Sequence, residues 1–371
     1  MILSNYAGSR DNNFNLIRML AAFIVLIEHS FVLVMNASWS KAQVDHLGDI
    51  LGRPAIDVFF VTSGFLICAS LLSRRNIIDF FVARFLRIYP ALLIVLLVSV
   101  FVIGPLFTSL ALKDYLTDSQ TFTYLFKGLV LLAGGVDFFL PGVFIDNPYQ
   151  GVVNGSLWTI PFEVVMYLSL GIGWFVLATF FRKGWMTAFR RMVVVIVVVT
   201  GVALIVGHLH DVHMPKIIRL AFMFFTGSLF YLFREKIVLS FKIFIVALGV
   251  LLVSFFDEKV LFVVYVLVMP YILFYMAYIP GGFVRKYNRL GDYSYGVYIY
   301  SFPVQQMIVA TFPSISVAWL LIFSSMIGVG LGVLSWTFVE KRALNMKASL
   351  ARQIKLLAAT STSRENLLRD S

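Results

Sequence analysis

The chain has 371 residues, of which 60% are hydrophobic and 13% charged, and its mean hydropathy is +0.91. A soluble globular protein carries about 25% charged residues, so this composition excludes an ordinary soluble domain and points to a polytopic membrane protein. The net charge of +11 does not indicate nucleic acid, because Lys and Arg fall between apolar runs, where they encode membrane topology. A single cysteine, Cys68, excludes an internal disulfide framework and any multi-cysteine metal site.

A spanning helix needs about 20 predominantly apolar residues. Runs of that kind lie at 14–35, 55–72, 89–110, 155–181, 192–209, 217–233, 237–256, 259–279, 291–312 and 315–339. The first follows a polar stretch and lacks a small-residue cleavage site, so no cleavable signal peptide is expected. An eleventh run, 121–140, is interrupted by Lys127, Gly134, Gly135 and Asp137 and ends at Pro141. With the N-terminus in the cytosol and 121–140 not crossing, cytosolic segments hold 21 Lys and Arg and outer segments hold six. The opposite treatment of 121–140 would put the later basic loops outside, against the positive-inside bias. The expectation is an all-α polytopic protein with ten transmembrane helices, both termini cytosolic, and a re-entrant or interfacial segment at 121–140. The membrane unit covers 1–345, and 346–371 is a basic tail lying against anionic lipid.

Ionisable groups inside a span cost about 2.5–3.5 kcal/mol at the helix centre on insertion scales, so they are candidates for function. The first run, Asn15-Leu-Ile-Arg18 through Glu28-His29-Ser30, has three. Arg18 and His29 are eleven residues apart, which places them on one helical face about 16 Å apart along the axis. Snorkelling accounts for Arg18 but not for His29. Asp57 opens the second run, as a catalytic group or as a helix-start carboxylate favoured by the dipole. In Arg84-Phe-Leu-Arg87-Ile-Tyr89-Pro90, two Arg at i, i+3 share a face suited to phosphate, although topology signalling also needs Arg there. In Ser156-Leu-Trp158 through Glu163, the carboxylate lies about 12 Å into the run, while Trp158 also suits an interfacial aromatic belt. Polar and aromatic groups from Asp292 to Tyr300 start the penultimate run. His208, His210 and His213 with Asp211 crowd one loop, where solvated histidines are expected rather than a metal site.

Five of these motifs together resemble the acyltransferase 3 family of integral membrane acyltransferases. They are Arg18 and His29 separated by ten residues, Asp57-x-Phe-Phe-x-x-Ser-Gly-Phe-Leu-Ile67, Arg84-x-x-Arg87-Ile-Tyr-Pro90, Ser156-Leu-Trp158 with Glu163, and Gly291-Asp-x-Ser-Tyr295. The resemblance covers residues 10–345 and implies acyl transfer to a saccharide hydroxyl. The donor it implies is acyl-coenzyme A, most commonly acetyl-coenzyme A, as a co-substrate rather than a tightly bound cofactor. It implies a stand-alone form without an esterase-like domain. The chain departs from the pattern at Tyr300-Ser-Phe-Pro303, where many members carry a second His. On this reading Arg18, Arg84, Arg87 and Tyr89 hold the donor, Ser156 and Trp158 contact the acceptor, and His29 is the general base, oriented by Asp57 or Glu163. The alternative is a transporter or flippase in which buried Arg, His and Glu relay protons.

Overall fold

The computed structural model describes residues 1–9, 11–35, 38–74, 76–131, 135–181 and 183–357. Among them the secondary structure is helical, and β-pairing is limited to three isolated bridges. The principal helices are α1 (Phe14–Met35), α2 (Arg53–Arg74), α3 (Ile77–Val98), α4 (Ser119–Val130), α5 (Ile160–Phe180), α6 (Trp185–Leu209), α7 (Lys216–Leu232), α8 (Phe241–Val253), α9 (Glu258–Tyr278), α10 (Ser294–Thr311) and α11 (Val317–Ser335). Among the described residues, seven helical segments are long and apolar enough to cross a membrane: those containing α1, α2, α3, α5, α6, α9 and α11. The other three expected runs are also helical. However, α7 has 17 residues, α8 has 13, and α10 carries a high share of polar side chains along its 18 residues.

In the 121–140 run, α4 has 12 residues and ends at Leu131, which adopts φ 57°. At 1.5 Å per residue it rises about 18 Å, short of the roughly 30 Å hydrocarbon core. Residues 135–154 then run through turns tied to neighbouring backbone by the Thr108–Val143 and Phe139–Val152 bridges.

Contacts between distant segments fix the two ends of the bundle. At one end Leu3 donates its N–H to Ile237, Asp11 pairs with Arg285, and Asp79 pairs with Lys355. At the other, Asp211 pairs with Lys259, and Asn147 donates to the Gln306 side chain at 2.7 Å. Beyond α11 a π-helical turn, Trp336–Glu340, leads into further helix. The first part of the expected tail, 347–357, is helical and docks Ala351 against Val82 and Leu86 of α3. Residues 358–371 lie outside the described residues.

The closest helix pair is α2 with α7. A Cβ at Gly64 would lie 1.8 Å from the Phe224 carbonyl oxygen, and one at Gly227 would lie 2.0 Å from that of Val61. Each helix uses a glycine to admit the other's backbone, the close approach typical of membrane helices with small residues at the contact. Gly64→Ala and Gly227→Ala should each destabilise the fold by at least the 1–3 kcal/mol (approximately) of an overpacked core. Thermal unfolding of the purified protein in detergent should show a lowered Tm for both. Gly249→Ala, where an added Cβ meets nothing within 4 Å, should show no such loss.

Candidate active site

Four helices position the ionisable groups singled out in the sequence. α1 runs unbroken from Phe14 to Met35, so Arg18 and His29 share one face as expected. Between α1, α2, α5 and α10 lies a narrow cleft whose wall includes Arg18, Ser63, Thr159, Glu163, Tyr295 and Tyr298. Its free space is about 30 Å³, room for one or two waters. Glu163 accepts a hydrogen bond from Tyr167 one turn later, and the Thr159 and Tyr298 hydroxyls meet at 2.9 Å.

His29 lies further along α1 than this cleft. Its ring is held edge-on against Phe302 with centroids 4.9 Å apart, and Nε2 is 3.4 Å from Oε2 of Glu28. Phe302 stands between His29 and the Asn154–Thr159 turn, since a Cβ at Gly155 would come within 2.7 Å of its ring. Gly52 makes room for the Glu28 carboxylate, which lies 3.3 Å from where its Cβ would be. The acid beside the imidazole is therefore Glu28, its own neighbour in sequence.

Asp57, one of the two carboxylates expected to orient His29, is occupied elsewhere. It is buried and accepts three contacts from Arg219 of α7, at 2.6 to 3.1 Å, and one from the Tyr265 hydroxyl of α9 at 2.9 Å. A buried carboxylate needs a counter-charge and satisfied lone pairs, and these partners supply both. Arg219 obeys the same rule that singles out Arg18, an ionisable side chain in an apolar run, and was identifiable on that ground.

The two arginines of the Arg84–Pro90 motif differ in kind. Arg87 donates to Glu340 at 2.8 Å and to Asp292 at 2.5 Å, and its guanidinium lies 5.6 Å from the Trp336 ring centroid. Both terminal nitrogens are thus taken by protein carboxylates, and Arg87 does not offer the open fork expected for phosphate. Arg18 approaches the same Asp292 at 3.5 Å. Arg84 has no carboxylate at ion-pair distance among the described residues. It lies 5.9 Å from the Tyr167 ring centroid, and its Nε is buried without a hydrogen-bond partner. Tyr89 stacks on Phe85 at 4.5 Å. Trp158 carries Lys216 over its ring at 4.3 Å, and buried Ser156 has a hydroxyl oxygen without a partner.

The histidine loop has other occupations. His208 stacks on Phe262 with centroids 4.0 Å apart, and Lys259 holds the Asp211 carboxyl below its ordinary pKa through a direct hydrogen bond.

This constellation, with an imidazole and an acid on one helix and arginines at that helix's other end, matches the chemistry of acyl transfer. A family profile described as an acyltransferase domain matches residues 11–338, and the chain belongs to the acyltransferase 3 family of multi-pass membrane acyltransferases. It is 27% identical over 352 residues to the O-acetyl transferase of Shigella phage Sf6, a match that covers 90% of this chain and 96% of that protein. It is 24% identical over 387 aligned positions to Nodulation protein 10 of Rhizobium leguminosarum bv. viciae, covering 95% and 99%. No solved structure matches the chain.

The contrast between the two arginines has a measurable consequence. Arg87→Ala strands two carboxylates, one of them fully buried, and should cost about 3–5 kcal/mol of stability. Arg84→Ala removes a charge that makes no direct ion pair among the described residues and should cost much less, leaving the Tm nearer that of the wild type. Comparing the two variants by thermal unfolding in detergent checks this, and equal losses would contradict the distinction.

Proposed function

We propose that the protein transfers an acyl group, in the first instance acetyl, from cytosolic acyl-coenzyme A to a hydroxyl of a cell-surface or lipid-linked saccharide. The observation that carries this reading is the Glu28–His29 pair on the helix that also bears Arg18. The similarity to the phage O-acetyl transferase supports acetyl and an oxygen acceptor.

The donor's phosphates meet Arg84 and Arg18, with Tyr89 beside the mouth, while Arg87 positions Asp292 and Glu340 and acts through them. The thin thioester arm follows α1 toward His29, about 16 Å from Arg18. His29 takes the proton of the acceptor hydroxyl as the oxygen attacks the thioester carbonyl. The carbon–sulfur bond breaks, the thiolate leaves, and the imidazolium returns the proton to it, giving an ester and free coenzyme A thiol. Glu28 stabilises the imidazolium and orients the ring, the part a third group takes beside a base. Ser156 and Trp158 lie toward the acceptor side, and Glu163 faces the cleft along which the arm passes.

In this reading ten helices cross the inner membrane of a bacterial cell, and both termini are cytosolic. The bundle end that gathers Asp11, Asp79, Arg285 and Lys355 is the cytosolic one, in keeping with the 21-to-6 distribution of Lys and Arg. Reporter fusions should therefore locate residues 141–154 outside and 184–191 inside, and a reversed result at either site overturns this orientation.

General-base catalysis contributes about 10²–10⁴-fold, so His29→Ala should lose at least that much transfer while retaining donor binding. Glu28→Gln should lower kcat more than Asp57→Asn in the fraction of each that remains folded, because Glu28 touches the imidazole and Asp57 does not. The measurement is acyl transfer to a soluble acceptor sugar by protein in nanodiscs. Near-wild-type turnover in His29→Ala removes the mechanism.

A further inference from the structure

The mechanism gives no task to the C-terminal segment, yet its placement is specific. The 347–357 helix lies along the start of α3, the helix that carries Arg84. An apolar seam of Val82, Leu86 and Ala351 holds it there, and Lys355 pins it to Asp79 at 2.7 Å. Between this helix and the end of α2 runs an open groove of about 640 Å³, within the roughly 300–1,000 Å³ of small-molecule sites.

The groove is basic. Arg74, Lys347, Arg352 and Lys355 line it, and the one carboxylate there, Asp79, is already engaged by Lys355. Arg74, Lys347 and Arg352 have no ion-pair partner among the described residues. Lys347 lies within electrostatic range of Arg74 and Arg84, which repel it, and of Asp79, which attracts it but is already paired with Lys355. Cations held together without counter-charges raise the free energy of the empty protein and lower that of an anion-bound one. The seam and the Asp79 pair fix the helix that brings Lys347 and Arg352 to this place, so the crowding is built in rather than a consequence of loose side chains.

We infer that this groove seats the nucleotide end of acyl-coenzyme A, with its 3′-phosphate on Arg74, Lys347 and Arg352, while its diphosphate continues to Arg84 and Arg18. The inference rests on the acyl-coenzyme A reading above and extends the donor site to a segment outside the matched family region, which ends at residue 338. A nucleotide fits better than a lipid headgroup, because the groove adjoins the arginine that begins the path to the cleft.

The test is binding of coenzyme A and of dephospho-coenzyme A, which lacks the 3′-phosphate, to the full-length protein in phosphatidylcholine nanodiscs. Lys347→Gln/Arg352→Gln should raise the Kd for coenzyme A about tenfold or more and shrink the preference for coenzyme A over its dephospho form. Lys347→Arg, which keeps the charge, should bind within a few-fold of wild type and guards against misfolding in the double variant. Wild type binding coenzyme A, with the double variant binding it equally well, overturns the groove and leaves the function standing. Failure of wild type to bind coenzyme A at all overturns both. Should the double variant instead lose only co-purifying phosphatidylglycerol, the groove belongs to lipid and the inference is wrong.

Discussion

A guanidinium in a low-dielectric interior has to be paired, and the pairing of Arg87 organises one whole end of this bundle. Its two carboxylate partners come from the start of α10 and from the π-helical turn after α11. Ser294 and Ser335 donate to those carboxylates in turn, and Arg18 of α1 reaches the same Asp292. Four segments far apart in sequence thus converge on one charge. Arg84 lies within electrostatic range of Arg87 and of Glu163, so this end of the bundle gathers three guanidiniums and three carboxylates where the donor's phosphates are proposed to arrive. Replacing one partner of such a buried set is expensive because the others lose their compensation, so the network fixes geometry as well as charge.

The reaction path then follows from α1 itself. One helix carries a cation near one end and a base near the other, so their separation is set by helical rise and is insensitive to loop conformation. The imidazole proposed as the base has an acid as its immediate neighbour, and its ring packs edge-on against Phe302. Preorganisation of this kind keeps a base within reach of its proton without a cost at the moment of reaction.

Much of this was legible in the chain. The apolar runs gave the helices, and the rule that buried charge is costly picked out Arg18, His29, Asp57, Glu163 and the Arg84–Arg87 pair. What the sequence did not disclose is who pairs with whom. Asp57 finds its arginine 162 residues away, and Arg87 finds its carboxylates 205 and 253 residues away. Those pairings depend on the order in which helices pack, which neither charge counting nor periodicity encodes. Glu28 counts among the ionisable groups of the first run but has no role assigned from sequence, for the opposite reason: adjacent residues on a helix point in different directions, so spacing offers no signal that i and i+1 side chains will meet. The polarity of α10 accompanies its burial within the bundle, where hydropathy is a weaker guide than on lipid-facing helices, whereas the short α8 is apolar and exposes most of its side chains.

The glycine contact between α2 and α7 also bears on how substrate gets in. With each backbone seated against the other's carbonyls, and Asp57, Arg219 and Tyr265 fastening α9 to the same pair, these helices behave mechanically as one block. That block supplies one wall of the cleft, through Ile56, Phe59, Phe60 and Ser63. The proposed thioester is larger than the space now present, so room for it has to come from the opposite wall, made by α5 and α10. The cleft thus has one wall that serves as an anvil for the proposed donor.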